Sequence, residues 1–485
     1  MVWVIVGGFL WALGLACGAA PLDIGIFQRF GENLEQATVQ AVGEQPLTVV
    51  TSEQRQFQTR RLKIQTTRVP LTTPMPWSRV MVSAHRSFED AQGVARTLAH
   101  LNPAIVRPQR WQVWVMRQAT PPTPAQAQLV TQLQQNYPTA RVESGLQTEE
   151  VVLDLNQQYR ARQVTIQAPN NRVKFGTRLY GGNLRLMPNS YGTYSVINRV
   201  DLQTYLRGVV PYEIAPVAPY QAIKAQAVVA RTFALRNLKR FSFDGYDLCA
   251  TANCQVYKGL SGVTALTDKA VASTQGQVLT YQGELVDALY TSANGGTSAR
   301  YSDLWLGRER PYLQAKPESL RPPNLGRLDQ EANLKRLLGY RQDFNESGSP
   351  AFRWVRTYSS AKLVASLQEN LPTLGLALPD LTTVTGLKVA ERSTSGRVLR
   401  LAVQTNRGEL TLSKDMILSA INQLPSTLFY VESAGDKGFR LVGGGWGHGL
   451  GLSQYGSYGL AKRGWDYQRI LGFYFPQTNL SRWAS

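Results

Sequence analysis

Apolar residues recur at helical spacing between residues 88 and 98: Phe88, Ala91, Val94, Ala95 and Leu98 fall on one face of a helix. Ser87 opens this run, with Asp90 three residues later at capping-box spacing. A second helix is expected from Thr123, with Pro124 in its first turn, Gln126 as box partner and Leu129, Val130 and Leu133 inside. Alternating strand patterns flank these helices at Arg79–Ala84, Trp111–Met116 and Ala140–Glu143. Residues 79–146 therefore read as a small ferredoxin-like α+β module.

Ahead of it, residues 21–78 read as a lead-in. Residues 21–45 are polar with helical tendency, strands follow at Leu47–Val50 and Arg61–Ile64, and Pro70, Pro74 and Pro76 mark a boundary. From residue 150 to 485 the pattern suits one large mixed α+β domain. Its strands are expected at Glu150–Leu155, Val164–Ile166, Gly192–Val200 and Gln277–Tyr281, and its long helix at Pro219–Arg240. Residues 316–350, rich in Pro, Arg and polar groups, read as an insertion.

The first 20 residues change the picture. Met1–Ala20 is uncharged and Val2–Leu15 is almost wholly apolar, which is short for a membrane span and suits the core of a signal peptide. The basic residues that usually precede such a core are missing, so an uncleaved membrane anchor or lipid attachment at Cys17 stays open beside cleavage after Gly18. Each alternative sends the chain out of the cytoplasm, to the periplasm or cell envelope. In that setting Cys249 and Cys254 read as a disulfide worth about 2 kcal/mol, and with no histidine beside them they make a poor metal site. The formal charge of +19 favours a polyanionic partner. Its basic residues are scattered rather than run together, which argues against nucleic acid.

Three segments carry candidate chemistry. Glu213 follows an apolar stretch and lies between Pro211 and Pro216, where desolvation raises a carboxyl pKa and suits it to general-acid work. A helix-capping or purely structural glutamate fits the same residues. The second segment is Tyr290–Thr297. The third, Gly443–Gly456, holds six glycines within nine residues and brings backbone close to a neighbour. It lacks the Lys and Ser or Thr of a phosphate-binding loop.

Together these segments resemble the SpoIID/LytB family (stage II sporulation protein D and LytB amidase enhancer). The resemblance is carried by Glu213, Ile223–Thr232, Cys254–Tyr257, Ser292–Thr297 and Gly445–Gly456, in the family's order. It implies a lytic transglycosylase that cuts MurNAc–GlcNAc bonds of peptide-free peptidoglycan glycan strands, with Glu213 as general acid and base and no cofactor. The alternative it admits is a non-catalytic glycan-binding enhancer of a partner cell-wall amidase. Zinc-binding members carry a histidine where Asn253 stands here, which argues against a metal. Lys224 and Arg231, seven apart on one helix face, are candidates for a substrate carboxylate or for fixing Glu213. Gln226, Tyr290, Ser292, His448 and Gln454 are further candidates for sugar contact or support. A hydrolase would need a second carboxylate, for which Asp287 and Asp303 are the first candidates. The module at 79–146 resembles, in order and size, the SPOR domain, whose family binds glycan strands stripped of stem peptides; a packing module without a ligand fits it as well.

Overall fold

The computed structural model describes residues 21–483 apart from Arg86, Gln109, Gly375 and Ala377. The expected export segment, with Cys17, lies outside the described residues. Among those described, no helix is long and apolar enough to cross a membrane.

The N-terminal third is strand-rich. Its elements are β1 (Leu22–Phe30), β2 (Gln36–Ala41), β3 (Leu47–Thr51), β4 (Gln56–Thr59), β5 (Arg61–His85), α1 (Phe88–Thr97), β6 (Ala104–Val106), β7 (Trp111–Gln118), α2 (Pro124–Leu133) and β8 (Arg141–Leu155). There follow β9 (Tyr159–Ala161), β10 (Val164–Gln167), β11 (Arg172–Phe175), β12 (Arg178–Gly181), β13 (Asn183–Pro188) and β14 (Tyr194–Val200). Two helices then lead to the site, α3 (Leu202–Glu213) and α4 (Tyr220–Arg236), before the short strand β15 (Leu248–Cys249). One seven-stranded sheet runs β15-β1-β14-β13-β10-β3-β4; a second runs β12-β11-β2-β5-β7-β6, with β8 on β5 and β9 on β8.

Residues 21–45 are therefore strands, not a helical lead-in. β1 lies inside the first sheet, antiparallel to β14 and parallel to β15. Leu22, Ile24 and Phe30 are buried, while Asp23 makes an ion pair with Arg185 at 3.0 Å. Pairing on both edges outweighs the weak local preference. The boundary expected at the prolines is also absent, because β5 runs unbroken through Pro70, Pro74 and Pro76. There β5 pairs only with β8, since its pairing with β2 ends at Gln65 and its pairing with β7 begins at Ser78. The proline nitrogens can face an open edge, where no donor is required.

Residues 79–146 follow the order strand–helix–strand–strand–helix–strand, with β8-β5-β7-β6 side by side. The three-residue β6 is the element missing from the sequence pattern. Both helices have the expected caps: Ser87 Oγ accepts from the Asp90 N–H, and Thr123 and Gln126 form a capping box. This unit shares one hydrophobic core with the rest, which runs from Ala91, Trp111 and Val113 through Ile197 and Val209 to Ile223.

α3 begins at an Asp201 cap and ends at Glu213, two residues after Pro211 has removed a backbone donor. α4 is shorter than expected and stops at Arg236, so Arg240 lies beyond the helix. Its other face packs against the strand Gln277–Tyr281 and the helix Tyr467–Tyr474. A further core lies between the sheets formed by residues 353–358, 429–433 and 439–444 and by residues 384–392, 398–405 and 408–413. The stretch 316–350, expected as an insertion, carries the helix Glu331–Gly339 and sends Glu318, Asn345 and Glu346 into the interior.

Removing residues 21–59 takes a strand from within the first sheet. The expected product is insoluble or melts without a cooperative transition by circular dichroism. A soluble, cooperatively melting product would show that these residues are a dispensable lead-in.

Candidate active-site cleft

A cleft of about 430 Å³ opens beside the C-terminus of α3. Glu213, Tyr290 and Gln454 form one side, with Trp446 and His448 from the glycine-rich segment beside them. Ser87, Phe88 and Glu89 at the start of α1, with Trp111, also line the cleft.

The Glu213 carboxylate is held from two directions. The Val256 N–H donates to Oε1, and the Tyr290 hydroxyl is hydrogen-bonded to the same side chain. Tyr290 is itself oriented: Tyr205 Oη donates to Gln255 Oε1 at 3.2 Å, and Gln255 Nε2 donates to Tyr290 Oη at 3.4 Å. That order leaves the Tyr290 proton for Glu213. Burial pushes the Glu213 pKa above the usual carboxylate range, and it outweighs the opposing hydrogen bonds from Val256 and Tyr290. Burial and the neighbouring carboxylate together push the Tyr290 hydroxyl well above its ordinary value. The Glu213 main chain is also fixed, since Gln454 Nε2 donates to its carbonyl at 2.6 Å.

Cys249 and Cys254 are bonded to each other. Their bridge closes the turn that presents Gln255 and Val256, and β15 anchors its first cysteine to β1. Among the described residues, no group of three or more His, Cys, Asp or Glu is arranged to hold a metal.

The glycine-rich segment serves close packing. Gly449 and Gly451 have φ of 77° and 68°, and a Cβ at either would lie 2.2 Å from the Arg397 guanidinium or 2.1 Å from the Leu289 carbonyl oxygen. Leu452–Ser453 can then pair in parallel with Tyr290–Thr291. His448 Nδ1 accepts from the Leu450 N–H at 3.0 Å, which leaves the ring proton on Nε2 facing the Tyr290 carbonyl. Burial and Arg397 push its pKa down to about 4, so His448 is neutral and ties this segment to the strand that carries Tyr290.

Asn294–Thr297 lies in the interior, folded round a buried carboxylate. Glu346 Oε2 accepts from the Gly295 and Gly296 N–H groups at 2.8 and 2.9 Å, and Oε1 accepts from the Asn294 N–H and from Ser453 Oγ. Arg397, fully buried, donates to the Asn294 and Thr297 carbonyls at 2.6 and 3.0 Å. Glu318 accepts from Asn294 Nδ2 at 2.6 Å and Tyr474 Oη at 2.9 Å; burial and the nearby Glu346 raise its pKa.

Residues 190–281 match the family model described as Stage II sporulation protein, and residues 299–451 match one described as Domain of unknown function (DUF8618). The Bacillus subtilis (strain 168) protein named Amidase enhancer is 28% identical over 349 residues, which cover 63% of this chain and 48% of that relative. Stage II sporulation protein D of the same organism is 28% identical over 318 residues, covering 61% of this chain and 80% of that protein. An uncharacterised Brachyspira hyodysenteriae protein is 26% identical over 302 residues, covering 62% and 72%. The chain is thus similar to proteins of the SpoIID/LytB family, and its residues 190–281 carry the segment that matches the family model. It spans about half the length of the amidase enhancer, at 48%.

Five of the eight candidate catalytic and substrate-contact residues share the cleft: Glu213, Tyr290, Ser292, His448 and Gln454. Lys224, Gln226 and Arg231 do not line it. Arg231 is fully buried and donates to the Val271 and Gln277 carbonyls, both at 3.2 Å, which ties α4 to the following elements. Lys224 points at the Tyr467 ring, with Nζ 3.9 Å from its centroid. Their spacing does place both on one helix face, but that face packs against protein. Gln226 is buried behind Gln454, whose Nε2 reaches its Oε1 at 3.4 Å. Asp287 is taken up by Arg310 and Arg236, at 2.5 and 3.4 Å. Asp303 accepts from Ser395 Oγ at 2.5 Å and from the Arg300 N–H at 2.9 Å, and neither aspartate lines the cleft.

Sequence reading missed Trp446, Trp305, Arg240, Glu89 and Asp415, all of which line the cleft. Trp446 had a visible signal, a bulky aromatic inside a glycine run, and the residue is 47% exposed. Arg240 and Glu89 had none, being 151 residues apart.

Two measurements follow from this geometry. The Glu213 carboxyl, observed by carbon NMR, should titrate above the ordinary carboxylate range, and Tyr290→Phe should raise it further by removing a donor to the charged form. A fall in pKa on that substitution contradicts the assigned hydrogen bond. Gly449→Ala, strained in φ and overpacked against Arg397, should cost about 2–4 kcal/mol in chemical denaturation. The exposed Gly472→Ala, whose Cβ meets nothing within 4 Å, should be neutral or stabilising.

Proposed function

We propose that this protein is an exported lytic transglycosylase of the cell envelope, acting on peptidoglycan glycan strands freed of stem peptides. The observation that carries this reading is Glu213: a carboxyl lining an open cleft, with its pKa raised by burial and its orientation held by Val256 and Tyr290.

Protonated Glu213 gives its proton to the bridging oxygen of a MurNAc–GlcNAc bond as the bond to C1 breaks. The resulting carboxylate then accepts the proton of the same MurNAc's C6 hydroxyl as that oxygen bonds to C1. The products are a 1,6-anhydro end and a free GlcNAc hydroxyl; water is not consumed and Glu213 returns to its starting state. One acid–base group suffices because the substrate supplies the nucleophile, whereas a hydrolase needs two carboxyl groups. Val256 and Tyr290 stabilise the intermediate carboxylate, and the exposed Trp446 offers a flat apolar face to a sugar ring. The apolar N-terminal segment and the disulfide support export, and the positive charge suits an anionic wall.

A second reading, an amidase enhancer that grips glycan without cutting it, draws on the relative that bears that name. Peptide-free glycan incubated with the protein and analysed by mass spectrometry separates the two. Wild type should release 1,6-anhydro-muramyl products, and Glu213→Gln should lower the rate by about 10²–10⁴-fold or more while still binding glycan. Reducing-end products instead would indicate hydrolysis, with Asp415 the next carboxylate to test. No products, together with equal stimulation of an amidase by wild type and Glu213→Gln, would leave the enhancer reading standing.

A further inference from the structure

The lining of the cleft that holds Glu213 includes a charged pair that the mechanism above does not use. Arg240 is the one lysine or arginine among the described residues that line the cleft, and its ion-pair partner is Glu89, from the first turn of α1. The two side chains differ in their access to water: that of Arg240 is 7% exposed and that of Glu89 28%. Arg240 Cζ lies 4.6 Å from the Phe88 ring centroid, a ring that packs in turn on Trp111 at 5.0 Å. Apart from Glu89, the guanidinium makes one long contact, Nη1 to the Asn253 carbonyl at 3.4 Å. Its buried Nε has no hydrogen-bond partner among the described residues. A guanidinium presents five N–H donors in a planar fork suited to carboxylates, and here that capacity is underused. The partner it does have is the more hydrated of the two, and so the easier to exchange.

We propose that Arg240 reads an anion in the cleft, taking the free lactyl carboxylate of a MurNAc residue beside or in place of Glu89. This rests on the reading of the cleft as a glycan site. A stem peptide attached at the lactyl group converts that carboxylate to an amide, which removes the charge and adds bulk. Arg240 thus distinguishes peptide-free strands from peptide-bearing ones. Glu89 competes for the same guanidinium, so a neutral glycan gains nothing from the site. On this inference the module at 79–146 contributes to the specificity of the cleft by holding Arg240 in place.

The test is isothermal titration of the Glu213→Gln protein, which leaves oligosaccharides intact. Three tetrasaccharides serve as probes: peptide-free GlcNAc–MurNAc repeats, the same molecule with its lactyl groups amidated, and chitotetraose. The free acid should bind about tenfold more tightly than the other two, as expected for a charged hydrogen-bonded contact, with the preference shrinking as salt rises. Adding Arg240→Gln should abolish the preference while chitotetraose affinity stays unchanged, which also reports that the cleft is intact. Adding Glu89→Gln, which frees the guanidinium, should instead tighten the free acid several-fold. Equal binding of the three probes, or a Glu89→Gln variant that binds the free acid more weakly, would overturn the inference. Binding of none of them would overturn the glycan reading and this inference with it.

Discussion

Much of the molecule depends on a carboxylate with no access to water. Glu346 is buried, and an unsolvated carboxylate is tolerable only if its lone pairs are filled. Three successive backbone N–H groups and the Ser453 hydroxyl fill them. That requirement sets the shape of the turn at 294–296, where Gly295 and Gly296 adopt positive φ. It also fixes Ser453, whose Oγ caps the next helix by accepting from the Gly456 N–H at 3.0 Å. Gln454 follows directly and holds the Glu213 carbonyl. A buried acid remote from the cleft thereby positions the acid that lines it. Arg397 completes the arrangement by spanning the same turn from its carbonyl side.

The N-terminal third is part of the same construction. β1 lies between β14 and β15, so the strand leading into α3 and the cysteine turn behind Glu213 both rest on residues 22–30. The small α+β unit contributes to the lining of the cleft, with Phe88 packed under Arg240 and Trp111 against Phe241 at 4.8 Å. Most of the buried residues of that unit belong to the core shared with the rest, while Met81, Ala104, Val106 and Trp114 form a small cluster of their own. The family-model match at 190–281 thus covers Glu213 and Arg240 but not Ser87, Phe88, Glu89 and Trp111, which line the same cleft.

Legibility in the sequence followed the range of the interaction. Helices with local signals, such as the Ser87 and Thr123 caps and the alanine stripe of α4, could be read directly. β1 could not, because it owes its state to partners far along the chain and its middle residues Phe27–Arg29 are only half-buried. β5 crosses three prolines because one of its edges is open there, which composition does not reveal. At the site, Glu213, Tyr290 and Gln454 were visible through motifs, and the structure brings them together. Lys224 and Arg231 were misread because helical spacing gives a shared face but not what covers it. The polar content of 316–350 suggested a surface excursion, although its carboxylates are what hold the Asn294–Gly296 turn.

The position of β1 also sets a temporal order. Leu22 pairs with Val200, and Ile24 with Leu248. Synthesis delivers the first strand more than two hundred residues before the second of its neighbours exists. Until then its apolar residues and both of its edges have no native partner, which is the condition under which nascent chains associate wrongly. Sequence-distant pairing of this kind is slow to form. The sheet beneath Glu213 is therefore completed late, and the newborn chain must be kept from collapsing on itself or on its neighbours until its own middle third arrives.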